Sequence, residues 1–382
     1  MKNIDPSLKG GDYLHPNSEG VPNPLQNAEL KDPDLKAGVS PNLMQEPILT
    51  VSHLTTPLQI GQQIYSVVED LSFSLYLGKT LALVGESGCG KSMTALSIMR
   101  ILPKPPCLPP KGEVIYRGQN LLKLSEKEMR TLRGGKIAMI FQDPTTALNP
   151  VFTVGDQLME VAALHLGLYG EDAEERALNV LREVRVSSPA ERFFNYPHEL
   201  SGGMKQRVMI AMALMCEPDI LIADEPTTAL DVTVQAQVLE LIKELQARKG
   251  MALLLITHDM GIVAEMADDV IVMYASQAVE RGSVLEIFEE MSHPYTRGLF
   301  KSRPTLETSR GKLQPIKGTV PPLTKYPTGC RFHPRCPYIM PKCKSGEVPD
   351  FDVPDSIPEH TTKCWLHDQT EESIRRFQEI GP

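Results

Sequence analysis

No apolar run in this chain approaches the ~20 residues needed to cross a bilayer. Compact stretches such as Met251-Ala252-Leu253-Leu254-Leu255-Ile256 are the size of strands. The N-terminus also lacks the apolar core of a signal peptide. The chain is therefore expected in the cytosol, with any membrane association made through a protein partner. Basic charge is in short supply: 39 Lys and Arg against 48 Asp and Glu leave a net charge of −9. That balance argues against a nucleic-acid partner, whose recognition rests on a basic face. Seven cysteines in 382 residues are too few and too unevenly placed for a secreted disulfide scaffold.

What is present is ordinary for a globular protein: 41% hydrophobic and 23% charged residues. The length suits one large domain and a smaller one with ample core. Residues 1–47, rich in Pro, Asn, Gly, Asp and Lys, show no apolar periodicity and read as a disordered extension. Order begins at Ile48-Leu49-Thr50-Val51, an apolar, β-branched strand. Thr80-Leu81-Ala82-Leu83-Val84 reads as a second strand, and Met93 to Leu102 as a helix that Pro103, Pro105 and Pro106 forbid to continue. From about 144 to 205, helical periodicity over Gly155–Gly167 and Asp172–Val184 marks an insertion. Ile220–Ala223 and Leu253–Thr257 return to buried parallel strands. After about residue 300, Pro, Cys and polar residues indicate a small irregular domain with helix only in the tail.

Between the second strand and its helix lies Gly85-Glu86-Ser87-Gly88-Cys89-Gly90-Lys91-Ser92-Met93. The spacing G-x-x-x-x-G-K-[ST] in that context is a phosphate loop. Gly88 and Gly90 let backbone N–H groups approach phosphate oxygens, and the helix N-terminus adds a favourable dipole. Lys91 places its charge on the β- and γ-phosphates, and the Ser92 hydroxyl suits Mg²⁺. Asp224 follows four apolar strand residues, so its carboxylate emerges at a strand end, fit to hold Mg²⁺. Glu225 points elsewhere, as adjacent strand residues do, and is the candidate for polarising the attacking water.

Between these halves stands Leu200-Ser201-Gly202-Gly203-Met204-Lys205-Gln206, which resembles the signature of the ATP-binding cassette (ABC) ATPases. Gln142 matches that family's Q-loop glutamine, a further Mg²⁺ and water contact. His258 matches its switch histidine, and Ala229-Leu230-Asp231 its D-loop. The resemblance implies an α/β cassette of the P-loop NTPase kind, with a parallel-sheet core, an antiparallel β region and a helical subdomain. It implies Mg²⁺-dependent ATP hydrolysis by a nucleotide-sandwich dimer, in which Ser201, Gly202 and Gly203 contact ATP held by a second subunit, identical or paralogous. Many cassettes stack an aromatic ring on adenine; the matching stretch, Leu54-Thr55-Thr56-Pro57-Leu58, has none, which leaves Leu58 or Tyr65.

A single phosphate loop and a short interval from Lys91 to Asp224 do not match tandem-cassette or chromosome-type members. Gln142-Asp143-Pro144-Thr145-Thr146-Ala147-Leu148-Asn149-Pro150, Tyr196-Pro197-His198-Glu199-Leu200 and His293-Pro294-Tyr295-Thr296-Arg297-Gly298-Leu299 resemble the oligopeptide/dipeptide/nickel importer ATPases. The likeness runs from about 48 to 368, with a cassette over 48–300 and that subfamily's C-terminal domain over 301–382. It implies two transmembrane permease subunits, an external substrate-binding protein, and a peripheral place on the inner membrane's cytoplasmic face. The segments after Gln142 and before Ser201 would receive the permeases, with local packing the alternative for Tyr196 and His198. Nickel import, or a regulatory ATPase outside transport, stay open beside peptide import.

Cys330, Cys336, Cys343 and Cys364 follow a C-x5-C-x6-C-x20-C pattern, unlike the paired knuckles of a zinc ribbon. Similar sets in this subfamily are associated with a [4Fe-4S] cluster. Zinc and unligated thiols or disulfides are the other readings.

Overall fold

The first two strands, β1 (Leu49–Ile60) and β2 (Gln63–Leu75), make a hairpin because they are joined by a turn in which Gly61 takes φ 61°. The chain crosses to β3 (Thr80–Val84) and returns for β4 (Lys111–Tyr116) and β5 (Gln119–Asn120). It then adds β6 (Ile137–Ile140), β7 (Ile220–Asp224), β8 (Ala252–Thr257), β9 (Asp269–Tyr274), β10 (Gln277–Ser283), β11 (Phe351–Asp352) and β12 (Thr361–Thr362). This computed structural model describes residues 46–228, 230–302, 315–353 and 360–380. The expectation for the N-terminal extension lies outside them.

Two sheets result. The antiparallel one runs β2-β1-β4-β5, and the larger one β11-β12-β10-β9-β3-β8-β7-β6. In the larger sheet β9, β3, β8, β7 and β6 are parallel, and β10, β12 and β11 extend it antiparallel. The central strands are apolar throughout, as parallel strands covered on both faces must be. Their side chains divide by alternation. Ile220, Ile222, Leu254 and Ile256 face a core shared with β1, β2 and the helix Lys91–Ile98. Leu221, Ala223, Leu253 and Leu255 face a core built on the helices Val154–Leu166, Gly170–Glu183, Gly202–Leu214 and Val232–Lys249. The fold is thus the α/β cassette, with its antiparallel region and its helical insertion.

The first helix is shorter than the sequence suggests. It ends at Ile98, capped by Met99, because Arg100 turns left-handed at φ 54°. Arg100 Nη1 then donates to the carbonyls of Leu121 and Leu124 at 3.0 and 2.7 Å. Tertiary bonds therefore stop the helix before the prolines can. Downstream, β12 pairs with β10 through Thr361–Arg281 and Thr362–Glu280, so the C-terminal segment lengthens the main sheet. Buried Glu280 fixes that join, accepting the Ser292 and His293 N–H groups at 2.6 and 3.0 Å and facing His360 Nε2 at 3.0 Å. A third core, with Tyr274, Tyr295 and Phe332, packs the segment against Ala82, Val84 and Val272.

Candidate nucleotide site

In an open α/β sheet, ligands gather beyond the carboxyl ends of the strands. Here β3, β8, β7 and β6 lie side by side and deliver Gly85, His258, Asp224–Glu225 and Gln142 to one edge. A cavity of about 470 Å³ opens there, lined by Gly85, Glu86, Ser87, Gln142, Glu225, His258, Met260 and Leu299.

The phosphate loop is held by close backbone approach. A Cβ on Gly85, at φ 150°, would stand 2.2 Å from the Met273 carbonyl oxygen; on Gly90, at φ 108°, it would meet Val67 O at 2.4 Å. Any other residue would force the loop off β9 or β2. Buried Lys91 donates from Nζ to the carbonyls of Gly85 and Glu86 at 2.7 and 3.3 Å. Cys89 is fully buried, and burial pushes its thiol pKa up, so it packs as a small apolar residue. Met93 also packs inward, against the core under β1 and β2.

Ser92 Oγ donates to Asp224 Oδ1 at 3.0 Å. Asp224 is buried, and desolvation raises its pKa while the Ser92 bond lowers it. A cation beside this pair would relieve the cost of its buried charge. The donor set, a hydroxyl and a carboxylate, fits a hard ion such as Mg²⁺. Glu225 takes φ 46°, a left-handed conformation that costs about 1–2 kcal/mol for a side-chain-bearing residue. Its carboxylate accepts from Gln142 Nε2 at 3.0 Å and Thr228 Oγ1 at 2.9 Å, and pairs with His258 Nδ1 at 3.2 Å. Thr228 was missed in the sequence, although a hydroxyl three residues after an acid at a strand end is the available signal.

The signature lies apart. Ser201 caps the helix Gly202–Leu214, accepting from the Met204 N–H at 3.4 Å. Ser201 and Gly202 are exposed, and none of Ser201, Gly202 and Gly203 lines the cavity. A Cβ on Gly203 would come within 2.8 Å of Val234 Cγ1. Asp231 is likewise exposed and caps Val232–Lys249 through Val234 N–H at 3.0 Å; Ala229 lies outside the described residues. Leu58 and Tyr65, the two adenine candidates, are directly opposite each other in the β1–β2 hairpin, so they form one patch.

Residues 68–228 match the ABC transporter family, and residues 279–343 match the oligopeptide/dipeptide transporter C-terminal region. The dipeptide transport ATP-binding protein DppD of Bacillus subtilis is 49% identical over 327 residues, covering 86% of this chain and 97% of that protein. The chain belongs to the ATP-binding subunits of the oligopeptide/dipeptide ABC transporters. The oligopeptide transport ATP-binding protein OppD of the same organism is 50% identical over 300 residues, 78% of this chain and 83% of that protein. A dimeric ATP-binding cassette solved in a post-hydrolysis state with ADP and Pi superposes with a TM-score of 0.55. It is 26% identical and covers 62% of this chain and 98% of its own. The subunit is accordingly an ATP-hydrolysing enzyme by family, with ATP and Mg²⁺ as the nucleotide and ion that family membership implies.

The family's C-terminal region brings its cysteines together. Cys330, Cys336, Cys343 and Cys364 line one narrow cavity with His293, Phe332 and Trp365. All seven cysteines are free, so no disulfide links them. Burial raises Cys330 to about 11 and Cys336 to about 12, so without a cation they stay neutral thiols. Four soft sulfur donors around one cavity suit an iron–sulfur cluster by chemistry. Among the described residues, however, no three His, Cys, Asp or Glu groups are disposed to hold a single metal ion.

No helix among the described residues is long and apolar enough to cross a membrane. The helical insertion instead exposes Val151, Phe152, Phe194 and Tyr196, and Phe141 beside Gln142 is also exposed. Tyr196 stacks on His198 with ring centroids 5.7 Å apart.

Proposed function

We propose that this subunit hydrolyses ATP at the carboxyl edge of its main sheet to drive import of oligopeptides or dipeptides through membrane permeases. The observation that carries the chemistry is Glu225, held in a strained conformation by Gln142, Thr228 and His258 at the mouth of the cavity beside the phosphate loop. Strain of this kind is retained where function needs it. Lys91 exchanges its bonds to Gly85 and Glu86 for phosphate oxygens. Bound Mg²⁺, held by Ser92 and Asp224 with Gln142 nearby, supplies charge neutralisation. Glu225 orients a water molecule toward the γ-phosphorus; the new P–O bond forms as the bond to the β-phosphate oxygen breaks, giving ADP and phosphate. Positioning and electrostatics account for the rate.

In this reading Ser201, Gly202 and Gly203 complete the site of a second cassette, identical or paralogous. The exposure of Ser201 and Gly202, and the absence of all three from the chain's own cavity lining, support it. Permease helices dock on the apolar residues exposed around Phe141, Val151, Phe152 and Tyr196, which holds the subunit peripherally at the membrane. Residues 48–300 act as the cassette and 301–382 as its C-terminal domain, where a [4Fe-4S] cluster on Cys330, Cys336, Cys343 and Cys364 serves as a structural staple. Support for the cluster is the shared cavity; anaerobic purification without iron and sulfide would overturn it. For the function as a whole, the test is ATPase activity of the reconstituted transporter with and without peptide-loaded binding protein. Stimulation by peptide is expected. Stimulation by nickel alone, or no co-purifying permease, contradicts the reading.

A further inference from the structure

Glu86 is the second residue of the phosphate loop, and all of its polar groups are held. Its N–H donates to Tyr295 Oη at 2.8 Å, its carbonyl accepts from Lys91, and its carboxylate accepts both terminal nitrogens of Arg335 at 2.6 and 3.0 Å. The Arg335 side chain is 5% exposed and that of Glu86 31%, so the arginine is sheltered while the carboxylate still reaches the cavity's solvent. Such a fork is the strong, directional form of a charged hydrogen bond. Arg335 is itself fixed by its Nε bond to the Lys317 carbonyl at 3.1 Å, and its guanidinium lies over the rings of Tyr274 and Phe332. Tyr274, Tyr295 and Phe332 form one aromatic group, with centroids 4.7 to 5.4 Å apart.

Glu86 also lines the cavity shared by Ser87, Gln142, Glu225 and His258. A carboxylate in that position faces the space where a polyanion must enter. Left unpaired it would repel phosphate, and at low local dielectric the repulsion is strong. Paired with Arg335 it is neutralised and cannot swing inward. Arg331, four residues earlier, repeats the device one loop away: it bonds the Ala275 carbonyl and the Glu69 carboxylate, both at 2.5 Å. Arg331 thereby ties the same turn to β2 and to the end of β9, while Arg335 alone reaches a residue that lines the cavity.

We infer that Arg335 is a positioning residue for ATP binding, which neutralises Glu86 and locks the phosphate loop in its receptive shape from the C-terminal region. The inference rests on the reading of this cavity as the ATP site. A consequence is that the turn from Cys330 to Cys336, which carries Arg335, acts on nucleotide affinity through that side chain.

The test is a double-mutant cycle on the full-length chain, with MgATP as the probe and Kd, KM and kcat as readouts. Arg335→Met is expected to weaken ATP binding about tenfold, a coupling typical of contacting charges, mainly in Kd and KM with kcat at saturating ATP little changed. In a Glu86→Gln background the same change is expected to cost less than about threefold, because no carboxylate is left to neutralise. Arg335→Lys, which keeps the charge but not the fork, is expected to fall between wild type and Arg335→Met; it also carries the test should Arg335→Met fail to fold. Equal losses in both backgrounds, or a lysine variant as weak as methionine, would overturn the inference. Lys91→Ala separates the premise: if that change leaves MgATP binding intact, the cavity is not the ATP site.

Discussion

The phosphate loop and the signature differ in how far the chain's own residues hold them. The phosphate loop is held at both ends, with only its tip, Ser87 and Gly88, exposed: Lys91 is 5% exposed, Gly85 and Gly90 touch backbone on neighbouring strands, and Glu86 is pinned by Tyr295 and Arg335. The signature is open. Ser201 and Gly202 face solvent, and the Ser201 hydroxyl accepts only a long bond, 3.4 Å, from the Met204 N–H. The chain finishes one binding surface by itself and presents the other outward. That asymmetry is what a site shared between two subunits requires.

The comparison breaks first at the enclosed half. Lys91→Ala removes the loop's own lysine, which bonds the Gly85 and Glu86 carbonyls, and its expected effect is loss of measurable MgATP binding in the isolated subunit by calorimetry. Glu225→Gln comes next. It keeps the contact volume but not the charge, and turnover is expected to fall about 10²–10³-fold, the scale for removing one preorganised group. ATP binding should survive, so the variant should accumulate as an ATP-bound dimer in size-exclusion chromatography with MgATP. A monomer with normal turnover would contradict the role given to Glu225.

A smaller effect reaches the join between sheet and C-terminal segment. His293 is fully buried, accepts the Tyr295 N–H through Nδ1 at 3.0 Å, and is pushed down to about 4 by desolvation. The nearby Glu280 carboxylate opposes the shift and His367 adds to it. The unfolded chain takes up this proton near pH 6.5, the folded chain only near 4. Between those values the unfolded state binds more protons, so stability is full above about pH 6.5 and is lost as pH falls toward 4. The loss from this group is about 3 kcal/mol. His293→Asn keeps an N-cap acceptor, and chemical denaturation of that variant across pH 4–7 should show a flatter profile.

The enclosed half was readable from sequence because backbone rules dictate it. Gly85, Gly90, Lys91, Ser92 and Asp224 are fixed by spacing and by apolar strands that need no partner beyond the sheet. The strand Thr80–Val84 and the helices near Gly155–Gly167 and Asp172–Val184 emerged close to their expected bounds for the same reason. Arg100 shows where that reading stops: its left-handed turn is held by carbonyls more than 20 residues away. Arg335 is a stronger case. Its partner, Glu86, is separated from it by most of the chain, and no local period announces an ion pair formed by folding. Likewise β12, only Thr361–Thr362, is too short to carry an alternation, so its union with β10 was invisible.

The most direct test of the asymmetry is Ser201→Asp in the full-length subunit. Aspartate keeps the helix cap but sets a negative charge where the proposed function has a partner's γ-phosphate received. The isolated subunit is expected to bind MgATP within about twofold of wild type, while ATP turnover of the dimer falls at least about 100-fold. Equal losses in binding and turnover would place the signature in the chain's own site and contradict the division between an enclosed half and an offered one.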